Sequence, residues 1–229
     1  MRPTKPKREP LRRDRLKTGP KLKAFAKVVW KKLSELYPNA KCALIHENPY
    51  QLLVATILSA QCTDKRVNMV TPDLFKRYPD ARMLAPAEQD DLETIVKSTG
   101  FFRAKSKSLI GMANAVVDKH GGEIPDSMEA LTALPGVGRK TANVVLGNAF
   151  GKDEGVVVDT HVTRVSNRLG LTREADPVKI EQDLIKLFPR EQWTMLSHLF
   201  IEHGRNICIA RNPQCGVCPL SDQCPASRV

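Results

Sequence analysis

The stretch LPGVGRKTANVVL, residues 134–146, places a proline and two glycines before Arg139 and Lys140, and nearly all of the side chains that follow are small or apolar. A turn of this composition breaks a helix, whereas the residues after it favour one. We therefore expect a helix over residues 127–134, a turn, and a second helix over residues 139–149, which together form a helix–hairpin–helix. Gly136 and Gly138 stand at the turn, where a positive φ or a close approach of the backbone requires glycine.

The second helix of this hairpin begins directly after both glycines, so its first backbone N–H groups are open to a ligand. Those N–H groups and the helix dipole make such an end an anion site. We expect a nucleic-acid phosphate there, held by Gly136, Gly138 and Arg139 without any reading of base sequence. The same pattern also fits an ordinary corner between two helices, which would bind nothing.

The rest of the chain is predicted to be almost entirely helical, so the expected fold class is all-α. PYQLLVATILSAQ, residues 49–61, is apolar nearly all round, as a helix at the centre of a bundle would be. Asp176 followed by proline is a favourable helix opening, and Gly204 is expected to end the last long helix. GVVVD, residues 155–159, is strand-like but is weak evidence for a sheet. Further helices are expected over residues 22–36, 64–78, 88–98, 104–119 and 191–203.

Positive charge is concentrated at the N-terminus. The chain has 229 residues and a formal net charge of +11, and residues 1–23 hold ten Lys and Arg against two Asp and Glu. Few apolar side chains and four prolines in that segment predict a disordered basic arm over residues 1–20, which would bind polyanions in a salt-dependent way. A merely solubilising tail fits the same composition. With no membrane-length apolar run and no secretory signal, we expect a cytoplasmic protein without membrane partners, associated with the nucleoid if bacterial.

Four of the six cysteines lie near the C-terminus, as Cys208, Cys215, Cys218 and Cys224. Four thiolates in the spacing C-x6-C-x2-C-x5-C can bind zinc or an iron–sulfur cluster, and the spacing alone does not choose between them. A disulfide framework is not expected in a protein that stays inside the cell. Arg211 lies between the first two cysteines, where a rigid metal centre would present it to a phosphate.

LPGVGRKTANVVL together with VDTHVTRVSNRLG, residues 158–170, resembles the endonuclease III family of helix–hairpin–helix DNA glycosylases, and the resemblance covers nearly all of the chain outside the basic arm. It implies two helical domains that flank a DNA-binding cleft. Residues 43–153 would form a six-helix domain containing the hairpin, and residues 21–42 would join residues 154–229 in a cluster domain. The resemblance also implies that the four C-terminal cysteines hold a [4Fe–4S] cluster.

The resemblance implies a bifunctional DNA glycosylase and abasic-site lyase of base-excision repair, with Lys140 and Asp159 as the catalytic pair facing each other across the cleft. A neutral amine would attack the sugar, expel the base and form a Schiff base, from which β-elimination nicks the strand 3′ of the abasic site. Since a free Lys has a pKa of about 10.4, we expect partial burial and the positive helix end to lower the pKa of Lys140. Asp159 would stabilise positive charge on the sugar. Taken singly, without the resemblance, Asp159 also fits the N-cap of a helix, and Lys140 also fits a solvated charge on the protein surface.

The expected partner is double-stranded DNA containing oxidised pyrimidines or abasic sites, bound by a monomer. Two alternatives stay open. Related adenine or mismatch glycosylases release only the base, and they usually lack a Lys at the position of Lys140. A non-catalytic DNA-binding module with four structural cysteines is the alternative of another kind.

A glycosylase must extrude the damaged nucleotide and fill the gap. The resemblance implies that Gln61 in ILSAQCTD and Phe101 in TGFFRAK fill this gap. Relatives often have leucine at the position of Phe101. Arg103 and Lys105 either hold adjacent phosphates or form a solvated charged face. His161 matches a histidine common in the family and is expected to orient the site or contact the DNA strand.

Overall fold

The computed structural model describes residues 11–229, which are helical and contain no strand. The all-α prediction is confirmed. The GVVVD run is not a strand, although its three valines are buried. Every helix within the described residues is too short or too polar to cross a bilayer. The α-helices are α1 Gly19–Leu36, α2 Pro49–Leu58, α3 Asp64–Arg77, α4 Ala81–Leu84, α5 Gln89–Val96, α6 Phe102–His120, α7 Met128–Thr132, α8 Arg139–Ala149, α9 Thr160–Arg168, α10 Pro177–Leu187 and α11 Trp193–Asn206.

The chain divides into two compact units. The inserted unit is Cys42–Glu154, and the terminal unit combines the described residues 11–41 with Gly155–Val229. The inserted unit holds α2 to α8, of which α4 has only four residues. The terminal unit holds α1 and α9 to α11.

Helix α2 supplies much of the core of the inserted unit. Leu52, Leu53 and Leu58 are fully buried, and α2 contacts α3, α6 and α8. Asn48 is the N-cap, and its side chain accepts a hydrogen bond from the first turn. Because full burial of one leucine contributes about 1.5–3 kcal/mol, the uniformly apolar sequence of α2 places it inside the helical bundle, as predicted.

Helices α7 and α8 form the predicted helix–hairpin–helix, and the buried Leu134 and Val137 anchor the turn between them to the core. Gly136 has a φ of 75°, and a Cβ at this position would lie 2.7 Å from Ser108 Cβ. Glycine is therefore required there for both backbone and steric reasons. Gly138, the N-cap of α8, has open space around it, so the requirement for glycine does not extend to this position.

The terminal unit is built around the apolar stripe of α1. Phe25, Val29 and Leu33 are buried in one core with residues of α9, α10 and α11. Phe200 of α11 is fully buried and meets the Phe188 ring edge-on, with the ring centroids 6.3 Å apart. Four-residue spacing in the sequence of α1 thus becomes one buried face.

Gly204 does not end the last helix, contrary to the prediction, because α11 continues to Asn206. A Cβ at position 204 would lie 3.0 Å from both Cβ and Nδ1 of His161 on α9. The glycine therefore serves the close approach of α9 and α11 rather than a helix stop. The prediction at Asp176 is confirmed, since its side chain caps α10 by accepting from the N–H groups of Val178 and Lys179.

Part of the predicted disordered arm is ordered. Residues 1–10 lie outside the described residues, but residues 12–17 form a segment, here called the strap, that hydrogen-bonds to the C-terminal end of the chain. Arg15 donates to the Ser221 carbonyl at 2.9 Å, and Lys17 donates to the Gln223 carbonyl at 2.8 Å. The prediction of disorder over residues 1–20 is therefore wrong for the strap, because its cations bind carbonyl groups that lie far away in sequence.

Candidate active site and iron–sulfur centre

Lys140 is the second residue of α8 and is exposed. The predicted partial burial is therefore wrong. Gly138 offers no side chain to cap the helix, so the first N–H groups of α8 have no partner within the helix. Lys140 thus lies beside an open, positively polarised helix end, and its amine is accessible from solvent.

The other predicted members of this anion site share that exposure. Gly136, Gly138 and Arg139 are all exposed at the turn and the start of α8. Backbone N–H groups at the start of a helix bind phosphate oxygens well. The local geometry therefore fits a phosphate contact that does not depend on base sequence.

Asp159 is the N-cap of α9, and its Oδ1 accepts a hydrogen bond of 2.8 Å from the Val162 N–H. The carboxylate is half-buried, and the cap fixes its direction. The capping alternative considered for Asp159 is thus correct as a structural description. A cap uses one lone pair of one oxygen, so capping and stabilisation of a cation are compatible roles for the same group.

His161 lies in the contact between α9 and α11. Burial lowers the pKa of His161, the nearby Asp159 raises that pKa, and the Arg164 guanidinium lowers it. Arg164 lies 3.2 Å from His161 Nδ1, and it donates to the Gly204 carbonyl at 2.8 Å and the Cys208 carbonyl at 3.0 Å. Arg164, which the sequence analysis missed, therefore ties this histidine to the first cysteine of the predicted metal centre.

The two residues expected to fill the DNA gap share an unusual backbone conformation. Gln61 has a φ of 52° and Phe101 a φ of 50°, and within residues 11–229 they are the non-glycine residues with positive φ. Both side chains are exposed, Phe101 to 64%. Left-handed backbone costs free energy for residues with a Cβ and is concentrated at functional sites. The structure thus sets these two residues apart from the rest of the described chain.

The two cations that follow Phe101 differ in their surroundings. The Arg103 side chain is 82% exposed and lies 4.0 Å from the Glu93 carboxylate. Lys105 is only 5% exposed, and its Nζ donates to the Thr99 carbonyl at 2.8 Å. The expectation that Lys105 holds a phosphate or forms a solvated face is therefore wrong, because its ammonium group points into the protein.

The four C-terminal cysteines lie around one pocket. All of them are half-buried and none forms a disulfide. Cys208 follows α11, and the other three flank two short turns of 3-10 helix. No group of three or more His, Cys, Asp or Glu side chains within residues 11–229 is arranged to hold a single metal ion. Arg211, in the loop after Cys208, is exposed.

The chemistry of this pocket fits an iron–sulfur cluster. Burial raises the pKa of the Cys208 and Cys218 thiols and raises the pKa of Cys224 to about 11. Thiolates in such a site need a compensating cation, and soft sulfur ligands suit iron–sulfur clusters. Four cysteine ligands around one pocket are the donor set that a [4Fe–4S] cluster takes.

Arg168, which was also not predicted from the sequence, supports the loop that carries the first cysteine. It is 6% exposed and donates to the Ile209 carbonyl at 2.8 Å and the Ala210 carbonyl at 2.9 Å. It also reaches Cys208 Sγ at 3.4 Å. Arg168 stands three residues after Val165, on the apolar face of α9, and this spacing is the feature of the sequence that indicates its burial.

Comparisons with known proteins give the family. A model of the HhH-GPD superfamily of base excision DNA repair proteins matches residues 54–190, and one of the iron–sulfur binding domain of endonuclease III matches residues 208–224. Endonuclease III of Synechocystis sp. is 55% identical over 196 residues, which is 86% of this chain and 90% of that protein. The chain belongs to the endonuclease III family. Endonuclease III of Bacillus subtilis is 44% identical over 84% of this chain and 88% of its own length.

A solved structure of a trapped endonuclease III–DNA covalent intermediate agrees with this assignment. The two chains are 40% identical, and they superpose with a TM-score of 0.85. The match covers 89% of this chain and 96% of the chain in that structure. As an endonuclease III family member, the chain is a base-excision DNA repair enzyme with glycosylase and abasic-site lyase activity, which binds DNA and holds a [4Fe–4S] cluster. The resemblance found in the sequence is confirmed.

Proposed function

We propose that this enzyme removes oxidised pyrimidines from double-stranded DNA and nicks the strand at the resulting abasic site, with Lys140 as the nucleophile. The observation that carries the proposal is the position of Lys140, which is exposed in the first turn of α8 next to uncapped backbone N–H groups. A helix end of this kind holds a phosphate. An amine beside a bound phosphate is within reach of the adjoining sugar.

In this reaction, the ammonium group of Lys140 first loses a proton, and the lone pair of Nζ then attacks C1′ of the nucleotide. The N-glycosidic bond breaks, so the base leaves with the bonding electrons and takes up a proton. The sugar ring opens to a protonated Schiff base with the lysine. Loss of a proton from C2′ then expels the 3′ phosphate by breaking the C3′–O bond. Water hydrolyses the remaining imine and frees Lys140 for another cycle.

Asp159 is proposed to stabilise the positive charge that develops on the sugar as the base leaves. Its cap hydrogen bond to Val162 holds the carboxylate in one orientation before DNA arrives. A pre-oriented carboxylate avoids reorganisation during the reaction, which is how electrostatic catalysis gains its effect. His161, held by Arg164, is proposed to support this end of α9.

DNA is proposed to be held mainly through its backbone. Gly136, Gly138 and Arg139 bind a phosphate at the start of α8, and Arg103 and Arg211 contact neighbouring phosphates. Gln61 and Phe101 occupy the space that the extruded nucleotide leaves. We propose that a single copy of the chain supplies all of these contacts, so that the enzyme works as a monomer.

Borohydride trapping on a duplex that contains one thymine glycol tests this proposal. The reductant converts a Schiff base into a stable covalent adduct, which electrophoresis separates from free DNA. We expect an adduct with the unmodified enzyme and none with Lys140→Gln. Lys179→Gln is the matched control, because Lys179 is also an exposed lysine in the first turn of a helix, and it should form the adduct normally.

The other outcomes each point to a different function. Base release without any adduct would identify a glycosylase that acts on the base only, and a duplex carrying mismatched adenine would then be the next substrate. An adduct that survives in Lys140→Gln would mean that another amine is the nucleophile. Neither adduct nor base release on any damaged duplex would contradict the proposed reaction.

A further inference from the structure

The buried ammonium of Lys105 contacts the segment that leads into Phe101, one of the two non-glycine residues with positive φ within residues 11–229. Lys105 is 5% exposed in the first part of α6, and its Nζ donates to the Thr99 carbonyl at 2.8 Å. Thr99 is two residues before Phe101. The ammonium group therefore ties α6 to the segment that leads into Phe101.

A buried cation is a costly way to hold a loop unless the site needs it. Within the described residues no carboxylate forms an ion pair with Lys105, and the partner of its ammonium group is the Thr99 carbonyl. Burying a charge with such a partner is unfavourable. Left-handed backbone at Phe101 adds to the strain, and such a conformation persists only where the surroundings fix it.

We propose that Lys105 is a positioning residue that holds the Phe101 segment in the conformation in which it enters the DNA. This inference rests on the proposed gap-filling role of Phe101. Lys105 itself does not touch DNA or the reacting atoms. Its contribution is to fix the segment in advance, so that filling the gap requires no reordering of the loop.

The proposal separates gap filling from chemistry, and one experiment measures both. The full-length enzyme is mixed with a duplex that carries an abasic site, with 2-aminopurine in the opposite strand. The rate at which 2-aminopurine fluorescence rises reports the filling of the gap, and borohydride reports the final yield of covalent adduct. We expect Lys105→Met to slow the fluorescence rise about tenfold, the effect of about 1.4 kcal/mol, while the final adduct yield stays the same.

Lys119→Met is the matched control, because Lys119 is an exposed lysine at the other end of the same helix. It should leave the fluorescence rate unchanged. Methionine has the length of lysine and suits a buried site, so Lys105→Met is expected to fold. If it does not fold, Lys105→Gln carries the same measurements, because its amide still offers a donor.

A double-mutant cycle adds a readout that a general loss of stability would not change. Glycine adopts positive φ without strain, so Phe101→Gly removes the backbone strain that Lys105 is proposed to hold in place. In that background Lys105→Met should slow the fluorescence rise by a clearly smaller factor. Independent effects would instead multiply.

Two results would overturn the inference. One is an equal fluorescence rate in Lys105→Met and Lys119→Met. The other is a slower rate accompanied by a proportional loss of adduct yield, which would mean that less protein is folded. Failure of the proposed function would give a different result, because the unmodified enzyme would then form no covalent adduct. The fluorescence rates of the unmodified enzyme and Lys105→Met would still show whether Lys105 affects the filling of the gap.

Discussion

Replacing Arg168 with methionine should loosen the loop that begins at Cys208. The guanidinium donates to the Ile209 and Ala210 carbonyls at 2.8 and 2.9 Å, and hydrogen bonds to a charged group contribute about 1.5–3 kcal/mol each. Methionine is easier to bury than a cation, which offsets part of that loss. We expect the free energy of unfolding to fall by about 3 kcal/mol, which lowers Tm by about 6–12 °C in a chain of this size.

Thermal unfolding of the cluster-loaded enzyme measures this effect, followed by circular dichroism and by the visible absorbance of the cluster. The absorbance should be lost at a lower temperature in Arg168→Met than in the unmodified enzyme. Arg173→Met is the control, since Arg173 is exposed beyond the end of the same helix and should change stability by less than about 0.5 kcal/mol. Equal Tm values and equal loss of absorbance in both variants would refute the reasoning.

Further predictions concern single positions. Gly136→Ala should cost about 2–3 kcal/mol, because alanine is strained at positive φ and its Cβ meets a neighbouring helix; Gly138→Ala should stay within about 0.5 kcal/mol in the same urea unfolding experiment. Burial lowers the pKa of His198, so the unfolded chain binds its proton more readily and the free energy of unfolding should decrease as the pH falls below about 6.5. Urea titrations at several pH values should show a weaker decrease in His198→Gln. Tyr50→Phe should cost about 1–2 kcal/mol at an unchanged urea m-value, since it removes the buried hydrogen bond of 2.9 Å to the Tyr78 carbonyl.

Local patterns were sufficient to predict much of the fold. The apolar surface of α2, the helix expected over residues 22–36 and the Asp176 cap follow from periodicity and backbone chemistry within a few residues, and each is found in the structure. Gly136 belongs with them, because a positive φ in a tight turn is a local requirement. Such features depend on neighbours in sequence, so one sequence is enough to find them.

The features that were missed depend on contacts between distant parts of the chain. Gly204 has the sequence context of a helix stop, and only the approach of His161 explains why it lies inside α11. Lys105 has the sequence context of a surface cation, and its burial depends on where the Thr99 carbonyl points. Arg168 binds a loop about 40 residues away. Composition and spacing carry no information about such partners.

The terminal unit is assembled from both ends of the chain, and this has a consequence for synthesis. The inserted unit is complete once Glu154 has been made, whereas the apolar face of α1 must wait for partners that begin at Gly155. At ordinary rates of translation the ribosome needs on the order of 10 s to make the intervening segment. During that interval the α1 face is uncovered and open to chaperones or to aggregation. The cluster ligands from Cys208 onward follow all of the α-helices in sequence, so iron loading can be completed only after Cys224 has been made.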